Sequence, residues 1–329
     1  MVLVLTASEM EQVADLPATI DAVEHAFRDI SLGLANQPPP VSMSLEKSSD
    51  SNFVLLGGLG DHQNLAAVKL LADIPSNSER GLPTQRSAIL LSNRETGEPQ
   101  ALLDGRVPTR VRTAAASAVA SKHLARPESS TLGVIGAGAL AITHVQAMLE
   151  VLPIDTVVVW SRSSTTVDAF CHRISHLGPK VVKATSAREA VEAADVLCTV
   201  TPSVEPLVKG EWFRAGLHVN AIGARPRPEH REIDSAGMAR AGIFVDSMDT
   251  ALKKSGDLLM AVADGSIAIQ DVRAELGDVV TGAHTGRRDA ADITLFNSVG
   301  IGMQDLAIGR LLFDAAMSRG IGLRVDLGR

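Results

Sequence analysis

A glycine-rich turn behind a short apolar run is the pattern in this chain that most directly suggests chemistry. Residues Thr131–Ile135 form the apolar run, and Gly-x-Gly-x-x-Ala follows it. The first glycine permits a tight turn, the second lets the backbone approach a diphosphate, and the alanine lets a helix pack on the strand. Helix N-termini bind anions, so the pattern predicts a pyrophosphate site. We assign to it Gly136, Ala137, Gly138, Ala139, Leu140 and Ala141.

A second apolar run, Thr156–Trp160, follows at the distance that a dinucleotide-binding unit requires, which disfavours an ordinary glycine turn. Enzymes that prefer NAD usually carry Asp or Glu after this strand, to bind the ribose hydroxyls. Here Ser161, Arg162 and Ser163 follow instead. Arginine and hydroxyl groups suit a 2′-phosphate, so the sequence predicts that NADP(H) is preferred, with NAD(H) as the alternative.

Lys69 is a single charged residue in the apolar run Ala66–Leu71. In a strand it would share a face with Ala67, Leu71 and Asp73. A lysine on such a face must be partnered or partly desolvated, and desolvation lowers its pKa towards the range useful for proton transfer. The alternative is an exposed lysine on an edge strand.

Arg112 is the second candidate for binding an anion. We place it in the first turn of an alanine-rich helix over 107–125, where the helix dipole disfavours a cation. A bound carboxylate would remove that conflict, because a guanidinium can hold a carboxylate with two hydrogen bonds. Arg110 points elsewhere on this helix and is interpreted as a surface or structural residue.

Periodicity predicts the elements that position these residues. Before residue 126, helical spacing over 19–32 and apolar or alternating runs at 52–56, 65–71 and 87–91 predict a helix and a small mixed sheet. From residue 130, strands and helices alternate, which predicts a parallel sheet covered on both faces. The predicted strands here are 131–135, 156–160, 180–183, 196–200, 218–222, 243–246 and 293–296. The predicted helices are one at 165–177, one that begins at the capping box Ser186-x-x-Glu189, and one at 299–318.

Composition excludes several functional classes. The 329 residues carry a net charge of −7, which argues against nucleic-acid or anionic-membrane partners. No apolar stretch approaches the ~20 residues of a membrane span and no signal-peptide pattern is visible, so we expect a cytoplasmic protein. Cys171 and Cys198 form no metal-ligand pattern and are interpreted as core thiols; no metal is predicted.

The chain contains no tyrosine, which excludes reductase mechanisms that use a tyrosine general acid. It also lacks the Gly-x-Ser-x-Gly and His-Glu-x-x-His motifs of serine hydrolases and zinc proteases. Acid–base chemistry must therefore use Lys, His, Asp or Glu.

Four segments together resemble the ornithine cyclodeaminase/mu-crystallin family. They are Gly81–Gln85, Arg112–Ala115, Gly136–Ala141 with Thr201–Ser203, and Asp292–Gly300. The resemblance implies an α/β protein with a Rossmann-type dinucleotide-binding domain, 126–298, inserted into a smaller α+β substrate and dimerisation domain, 1–125, to which 299–329 returns. It also implies a homodimer and an amino-acid or imino-acid substrate.

The same resemblance implies roles for individual residues. Lys69 would contact the substrate carboxylate and take part in proton transfer, and Thr84 would complete the pocket, although a plain turn threonine fits it nearly as well. Arg162 and its flanking serines resemble the Asn-Arg-Thr sequence with which relatives bind NADPH. The remaining implied cofactor residues are Thr201, Pro202, Ser203, Ala221, Gly223, Ser298 and Gly300.

Two departures from the family pattern bear on the reaction. Relatives that cyclise ornithine carry Asp where this chain has Arg225, and many carry a basic residue where it has Ser42. Arg225, which we place at the substrate, would repel the ornithine ammonium, although Glu232 or Asp246 could supply the missing carboxylate. The sequence therefore favours an NAD(P)H-dependent ketimine reductase or L-amino-acid dehydrogenase. Ornithine cyclodeaminase and a mu-crystallin-like NADPH and small-ligand binding protein with little turnover are the alternatives.

Overall fold

The chain folds into two compact units in a computed structural model that describes residues 1–45, 50–225 and 227–327. One unit comprises Met1–Arg112 and Ile301–Arg329, and the other is Thr113–Gly300. The chain thus leaves the first unit, forms the second, and returns. The fold class predicted from the sequence, a Rossmann-type domain with a smaller α+β domain, is confirmed.

The first unit is built on an eight-stranded mixed sheet. The strand order is β16-β1-β7-β6-β5-β4-β2, with β3 also paired to β4; β1 and β7 are parallel and the other pairs are antiparallel. The strands are β1 Val2–Leu5, β2 Ala35–Asn36, β3 Val41–Met43, β4 Asn52–Gly60, β5 Leu65–Asp73, β6 Gln85–Asn93, β7 Pro99–Asp104 and β16 Leu323–Val325.

Helices α1 Ala7–Val13, α2 Leu16–Ser31 and α11 Gly302–Arg319 belong to this unit, and α3 Arg106–Leu124 begins in it. The side chain of Asp15 caps α2 by accepting from the N–H of Ala18, 2.9 Å away. The apolar residues Ile20, Val23, Ala26 and Phe27 of this helix are buried. Helix α11 packs on β4 and β5 and on α2, so its first turn faces the sheet that carries Lys69.

The second unit is a parallel eight-stranded sheet in the order β10-β9-β8-β11-β12-β15-β13-β14. Its strands are β8 Thr131–Ile135, β9 Thr156–Trp160, β10 Lys180–Lys183, β11 Val196–Thr199, β12 His218–Ala221, β13 Gly242–Val245, β14 Val272–Glu275 and β15 Thr294–Asn297. Its helices after α3 are α4 Ala139–Val151, α5 Ser164–Ile174, α6 Ala187–Ala193, α7 Ser235–Arg240, α8 Met248–Lys254, α9 Gly256–Ala263 and α10 Leu276–Val280. The strand order reverses at β8, and α/β proteins bind ligands outside such switch points.

One predicted capping box and one predicted helix start need correction. Ser186 does cap α6 by accepting from the N–H of Glu189, but the Glu189 carboxylate bonds to Thr185 instead of completing the capping box. The last helix begins at Gly302 and not at Val299. The N–H groups of Val299 and Gly300 bind the Asp246 carboxylate, which holds these two residues out of the helix.

The two cysteines lie in the second unit, and their burial differs. Cys198 is fully buried in β11, where burial raises the pKa of its thiol to about 12, whereas Cys171 on α5 is only partly buried. No helix among the described residues is long and apolar enough to cross a membrane.

Candidate functional site

Lys69 lies in β5, which is an interior strand with β4 on one side and β6 on the other. Its side chain is 1% exposed and shares the buried face with Ala67 and Asp73, so the edge-strand alternative is wrong. The ammonium Nζ donates to Thr109 Oγ1 at 2.6 Å and to Asp305 Oδ1 at 3.0 Å. A lysine in the middle of a sheet is thus held by residues from α3 and α11.

Arg112 lies in the second turn of α3, which corrects its predicted place in the first turn. The helix begins at Arg106 because the Asp104 carboxylate accepts from the Arg106 N–H at 2.9 Å, before the predicted start. The argument from the helix dipole therefore loses most of its weight, since that effect falls off within one turn. Burial is the better reason to expect an anionic partner, because Arg112 is only 6% exposed.

Arg112 and Lys69 share the carboxylate of Asp305. Arg112 Nε lies 3.4 Å from the same Oδ1 that Lys69 contacts, and an Arg112 terminal nitrogen donates to Gln304 Oε1 at 2.6 Å. We refer to Lys69, Thr109, Arg112, Gln304 and Asp305 as the Lys69 cluster. All of it lies in the first unit.

The Lys69 cluster carries an unbalanced charge and unused polar atoms. Two cations share one carboxylate, and Arg112 Nε, Gln304 Nε2 and Asp305 Oδ2 are buried without a hydrogen-bond partner in the described structure. Burial lowers the pKa of Lys69 to about 8, with the Arg112 charge acting in the same direction and Asp305 opposing both. Such a cluster can attract a carboxylate and can exchange a proton near neutral pH.

Gln304 and Asp305 are not among the residues predicted from the sequence. A signal was present, because these two polar residues stand between Met303 and Leu306 in an otherwise apolar, buried stretch of the last helix. Buried carboxylates need a partner. That signal could have pointed to Asp305 as the counterion of a buried cation, although it could not have named Lys69.

Arg110 and Thr84, two other predicted residues of the first unit, have the following contacts. Arg110 forms an ion pair with Glu11 at 2.6 Å, as its structural interpretation expects. Thr84 is half-buried just before β6, and its carbonyl accepts from the N–H of Ile74 at 2.8 Å.

The predicted phosphate cradle lies between β8 and α4. Gly136 has φ +111°, a conformation that favours glycine, and its N–H donates to the carbonyl of Trp160 at 2.8 Å. Gly138 caps α4, and a Cβ built there would meet no atom within 4 Å. Ala141 is fully buried. Open space in front of a helix N-terminus, together with a tightly packed turn behind it, fits a dinucleotide pyrophosphate.

The segment after β9 presents one cation to solvent. Arg162 is exposed, and Ser161 is half-buried. The Ser163 hydroxyl caps α5 by accepting from the N–H of Thr166 at 3.3 Å. This hydroxyl can still donate a hydrogen bond, so the contacts described here leave Ser161, Arg162 and Ser163 available to a phosphate.

Buried carboxylates hold the loops that follow the neighbouring strands. Thr201 and Gly223, after β11 and β12, donate to Glu232. Ser298 and Gly300, after β15, donate to Asp246 at 2.8 and 2.6 Å. Glu232 and Asp246, considered above as substitutes for the missing ornithine-activating carboxylate, are thus engaged by backbone and hydroxyl groups of the second unit.

The remaining predicted residues of this unit lie at the same edge of the sheet. Ala221 ends β12 and is buried, Pro202 is exposed, and the Ser203 hydroxyl donates to the carbonyl of Glu205 at 2.6 Å. Arg225 is half-buried in the loop after β12. No group of three or more His, Cys, Asp or Glu that could hold a metal ion occurs among the described residues.

Comparison with known proteins gives a family and several relatives. The model of the ornithine cyclodeaminase/mu-crystallin family matches residues 1–320. An alanine dehydrogenase from Archaeoglobus fulgidus is 36% identical over 330 residues, covering 99% of this chain and 99% of that protein.

Two solved structures are similar along almost the whole chain. Delta(1)-pyrroline-2-carboxylate reductase from Thermococcus litoralis, in complex with NADH and L-proline, has a TM-score of 0.94 and 34% identity and covers 98% of this chain and 100% of that one. An archaeal alanine dehydrogenase dimer with bound NAD has a TM-score of 0.93 and 33% identity and covers 99% of each chain.

Proposed function

This chain belongs to the ornithine cyclodeaminase/mu-crystallin family, and from that premise we propose that it reduces a ketimine to an L-amino acid, or runs the reverse reaction. It is an NAD(P)-dependent oxidoreductase that acts on the C–N bond next to a carboxylate. The observation that carries this proposal is the Lys69 cluster, in which two buried cations share one carboxylate and the pKa of the lysine lies at about 8.

Arg112 and Lys69 bind the substrate carboxylate in this proposal. The two side chains carry one positive charge more than Asp305 neutralises, and Arg112 Nε lacks a hydrogen-bond partner in the described structure. A substrate carboxylate supplies both the missing charge and the missing acceptor. Asp305 keeps the two cations together despite their mutual repulsion.

Lys69 also moves the proton. In reduction its Nζ delivers a proton to the imine nitrogen, and in oxidation the neutral amine takes a proton from the substrate ammonium. A pKa of about 8 lets both forms exist near neutral pH, and the hydrogen bond to Thr109 fixes the position of Nζ. Thr84 and Arg225 are proposed to complete the substrate pocket.

The second unit is proposed to hold the dinucleotide. The 136–141 cradle would bind its pyrophosphate, and the loops with Thr201–Ser203, Ala221, Gly223, Ser298 and Gly300 would bind the nicotinamide end. When bound, the nicotinamide supplies or accepts the hydride. NADP(H) is the preferred cofactor in this proposal, because no carboxylate follows β9 and Arg162 is exposed there.

We infer further that the protein is a homodimer joined through the sheet of the first unit. Val68, Leu90 and Leu102 lie side by side on β5, β6 and β7 and are 49%, 40% and 41% exposed. An apolar sheet face of this kind is covered in a stable protein, and the similar archaeal alanine dehydrogenase is a dimer. Light scattering should give twice 34.5 kDa for wild type and a monomer for Leu90→Asp; a monomeric wild type would refute the dimer.

A substrate panel tests the function. The purified protein is mixed with NADPH or NADH and with cyclic imines, or with α-keto acids plus amines, and with NADP or NAD and L-amino acids, while absorbance of the reduced cofactor is followed. Turnover that requires a carboxylate next to the C–N bond is expected. Tight binding of nucleotide and ligand without turnover would instead favour the mu-crystallin-like binding protein.

A further inference from the structure

Glu232 is a fully buried carboxylate in the segment that precedes α7. It accepts four hydrogen bonds from described residues: from Thr199 Oγ1 at 2.7 Å, Thr201 N at 2.7 Å, Thr201 Oγ1 at 2.6 Å and the N–H of Gly223 at 2.7 Å. Two of these partners, the N–H groups of Thr201 and Gly223, can only donate, and each binds a different carboxylate oxygen. An ionised carboxylate accepts all four bonds as they stand.

The donors come from two neighbouring strands. Thr199 ends β11 and Thr201 lies in the loop that follows, while Gly223 lies in the loop after β12. The backbone carbonyl of Glu232 also accepts from Leu207 and Val208, further along the loop after β11. One residue thus joins the carboxyl ends of two adjacent parallel strands, at the edge where α/β proteins bind nucleotides.

We propose that Glu232 is a positioning residue for the nucleotide: its ionised carboxylate sets the spacing of the loops after β11 and β12, so that nucleotide binding depends on its ionisation. This inference rests on the proposed function, which assigns those loops to the nicotinamide end of the cofactor. Glu232 acts through Thr201 and Gly223 and has no contact with the reacting atoms in this proposal.

Protonation of Glu232 would disturb this arrangement. A neutral carboxyl would reverse one of the two threonine hydroxyl bonds, and the N–H groups of Thr201 and Gly223 would lose a charged acceptor, which weakens their bonds. Burial raises the pKa of Glu232 to about 7, with the Asp257 charge acting in the same direction and the bonds from Thr201 and Thr199 opposing both. The change of state is therefore expected near neutral pH.

The charged and titratable groups nearest Glu232 are Asp257, Arg231, Cys198 and His230, and the variant Glu232→Gln separates the titration of Glu232 from theirs. Asp257 on α9 accepts from the N–H groups of Glu232 and Ile233, and burial raises the pKa of this Asp, with Arg231 opposing. Cys198 on β11 has its pKa raised to about 12 by burial, so its thiol stays neutral at neutral pH. His230 is buried two residues before Glu232. The variant His230→Gln therefore tests whether this histidine contributes to the pH dependence.

The test measures the Kd of NADH across neutral pH by fluorescence. NADH is used because it has no 2′-phosphate that titrates. In wild type and in His230→Gln the Kd is expected to rise as the pH falls through about 7, with a slope that approaches tenfold per pH unit. Glu232→Gln should bind NADH more weakly than wild type at high pH and lose this slope.

Two further variants separate positioning from folding. Glu189→Gln is a matched control, because the exposed Glu189 carboxylate also binds the N–H and hydroxyl of one threonine, Thr185, at the start of α6. It should leave the NADH profile unchanged. Thr199→Val removes one donor and keeps Glu232, so the midpoint of the profile should move to higher pH, even if Glu232→Gln does not fold.

The outcomes are distinct. A wild type that binds neither NADH nor NADPH at any pH would refute both the proposed function and this inference. Nucleotide binding with the same Kd and slope in Glu232→Gln as in wild type would refute the inference alone. An unchanged midpoint in Thr199→Val, or loss of the slope in His230→Gln, would refute it in the same way.

Discussion

Lys69 and Glu232 are both fully buried ionisable groups, but their surroundings differ in one instructive respect. Glu232 is surrounded by donors that use its carboxylate oxygens. Around Lys69, by contrast, polar atoms of Arg112, Gln304 and Asp305 are buried without a hydrogen bond in the described structure. The cost of such atoms is of order 1–3 kcal/mol each.

This difference separates two kinds of buried charge. In our proposals, a carboxylate whose hydrogen bonds come from its own chain fixes the positions of loops, whereas a cluster with an excess cation and unused polar atoms is completed by a ligand. We therefore expect substitutions in the Lys69 cluster to lower kcat/KM without changing the Kd of the nucleotide. Substitutions of the proposed nucleotide-binding residues of the second unit should instead change that Kd.

Lys69→Met should have the largest effect. It removes both the proton donor and one substrate cation but keeps the length of the buried side chain, so we expect kcat/KM to fall by about 10²–10⁴-fold. The Kd of NADPH should stay within a small factor of wild type. Steady-state kinetics and fluorescence titration measure the two quantities, and a kcat/KM near that of wild type would show that Lys69 is only structural.

Arg112→Ala should cost at least ~2 kcal/mol in kcat/KM, or about 30-fold, because half of the carboxylate clamp is lost. The nucleotide Kd should be almost unchanged. Arg110→Ala is the matched control, two residues away on the same helix and paired with Glu11. An equal loss of NADPH affinity in Arg112→Ala would mean that Arg112 does not act on the substrate.

The pH dependence sharpens the role of Asp305. In the reductive direction kcat/KM should fall as the pH rises through about 8, because Lys69 loses the proton that it must deliver. Asp305→Asn removes the negative charge that supports the protonated form, so this fall should begin at a pH lower by about one to three units. Arg112→Ala should move it to higher pH. Identical pH profiles of kcat/KM in wild type, Asp305→Asn and Arg112→Ala would refute the assignment of Lys69 as the proton donor.

Arg162→Ala should affect the nucleotide alone. Wild type is expected to bind NADP(H) more tightly than NAD(H), and loss of a charged hydrogen-bond donor should reduce that difference by about tenfold. Arg173→Ala removes an exposed arginine near the end of α5, the helix that follows Arg162, and should leave the difference between the two affinities unchanged. Equal dissociation constants for the two nucleotides in wild type would refute the preference.

The smallest expected signal is turnover of L-ornithine. Arg225 replaces the carboxylate that cyclising relatives carry, and Glu232 and Asp246 are engaged by backbone and hydroxyl donors. Incubation with ornithine and catalytic NAD or NADP should therefore yield little proline and ammonia. Turnover near one per second, about a tenth of the median enzyme rate, would establish ornithine cyclodeamination instead.

The sequence by itself predicted most strands of the second unit and the class of the cofactor, but not strands such as β1, β7 and β14. Strands β9 and β10 have the predicted bounds, and the glycine pattern at 136–141 lies between strand and helix as expected. These features are local, since a turn that needs positive φ and a strand with alternating or continuous apolar residues both follow from neighbouring residues. The resemblance to the family likewise depends on short segments of fixed order.

Only the tertiary structure decided which charges meet. Lys69 and Asp305 are 236 residues apart in the chain, and no periodicity relates them. They lie together because α11, which follows the whole second unit in the chain, packs on β5. The partners of Glu232 are also distant in the chain, because they lie at or just after the ends of two different strands. Long-range pairing depends on topology and packing, which act on the folded chain as a whole, and so it could not be deduced from residue types and spacing.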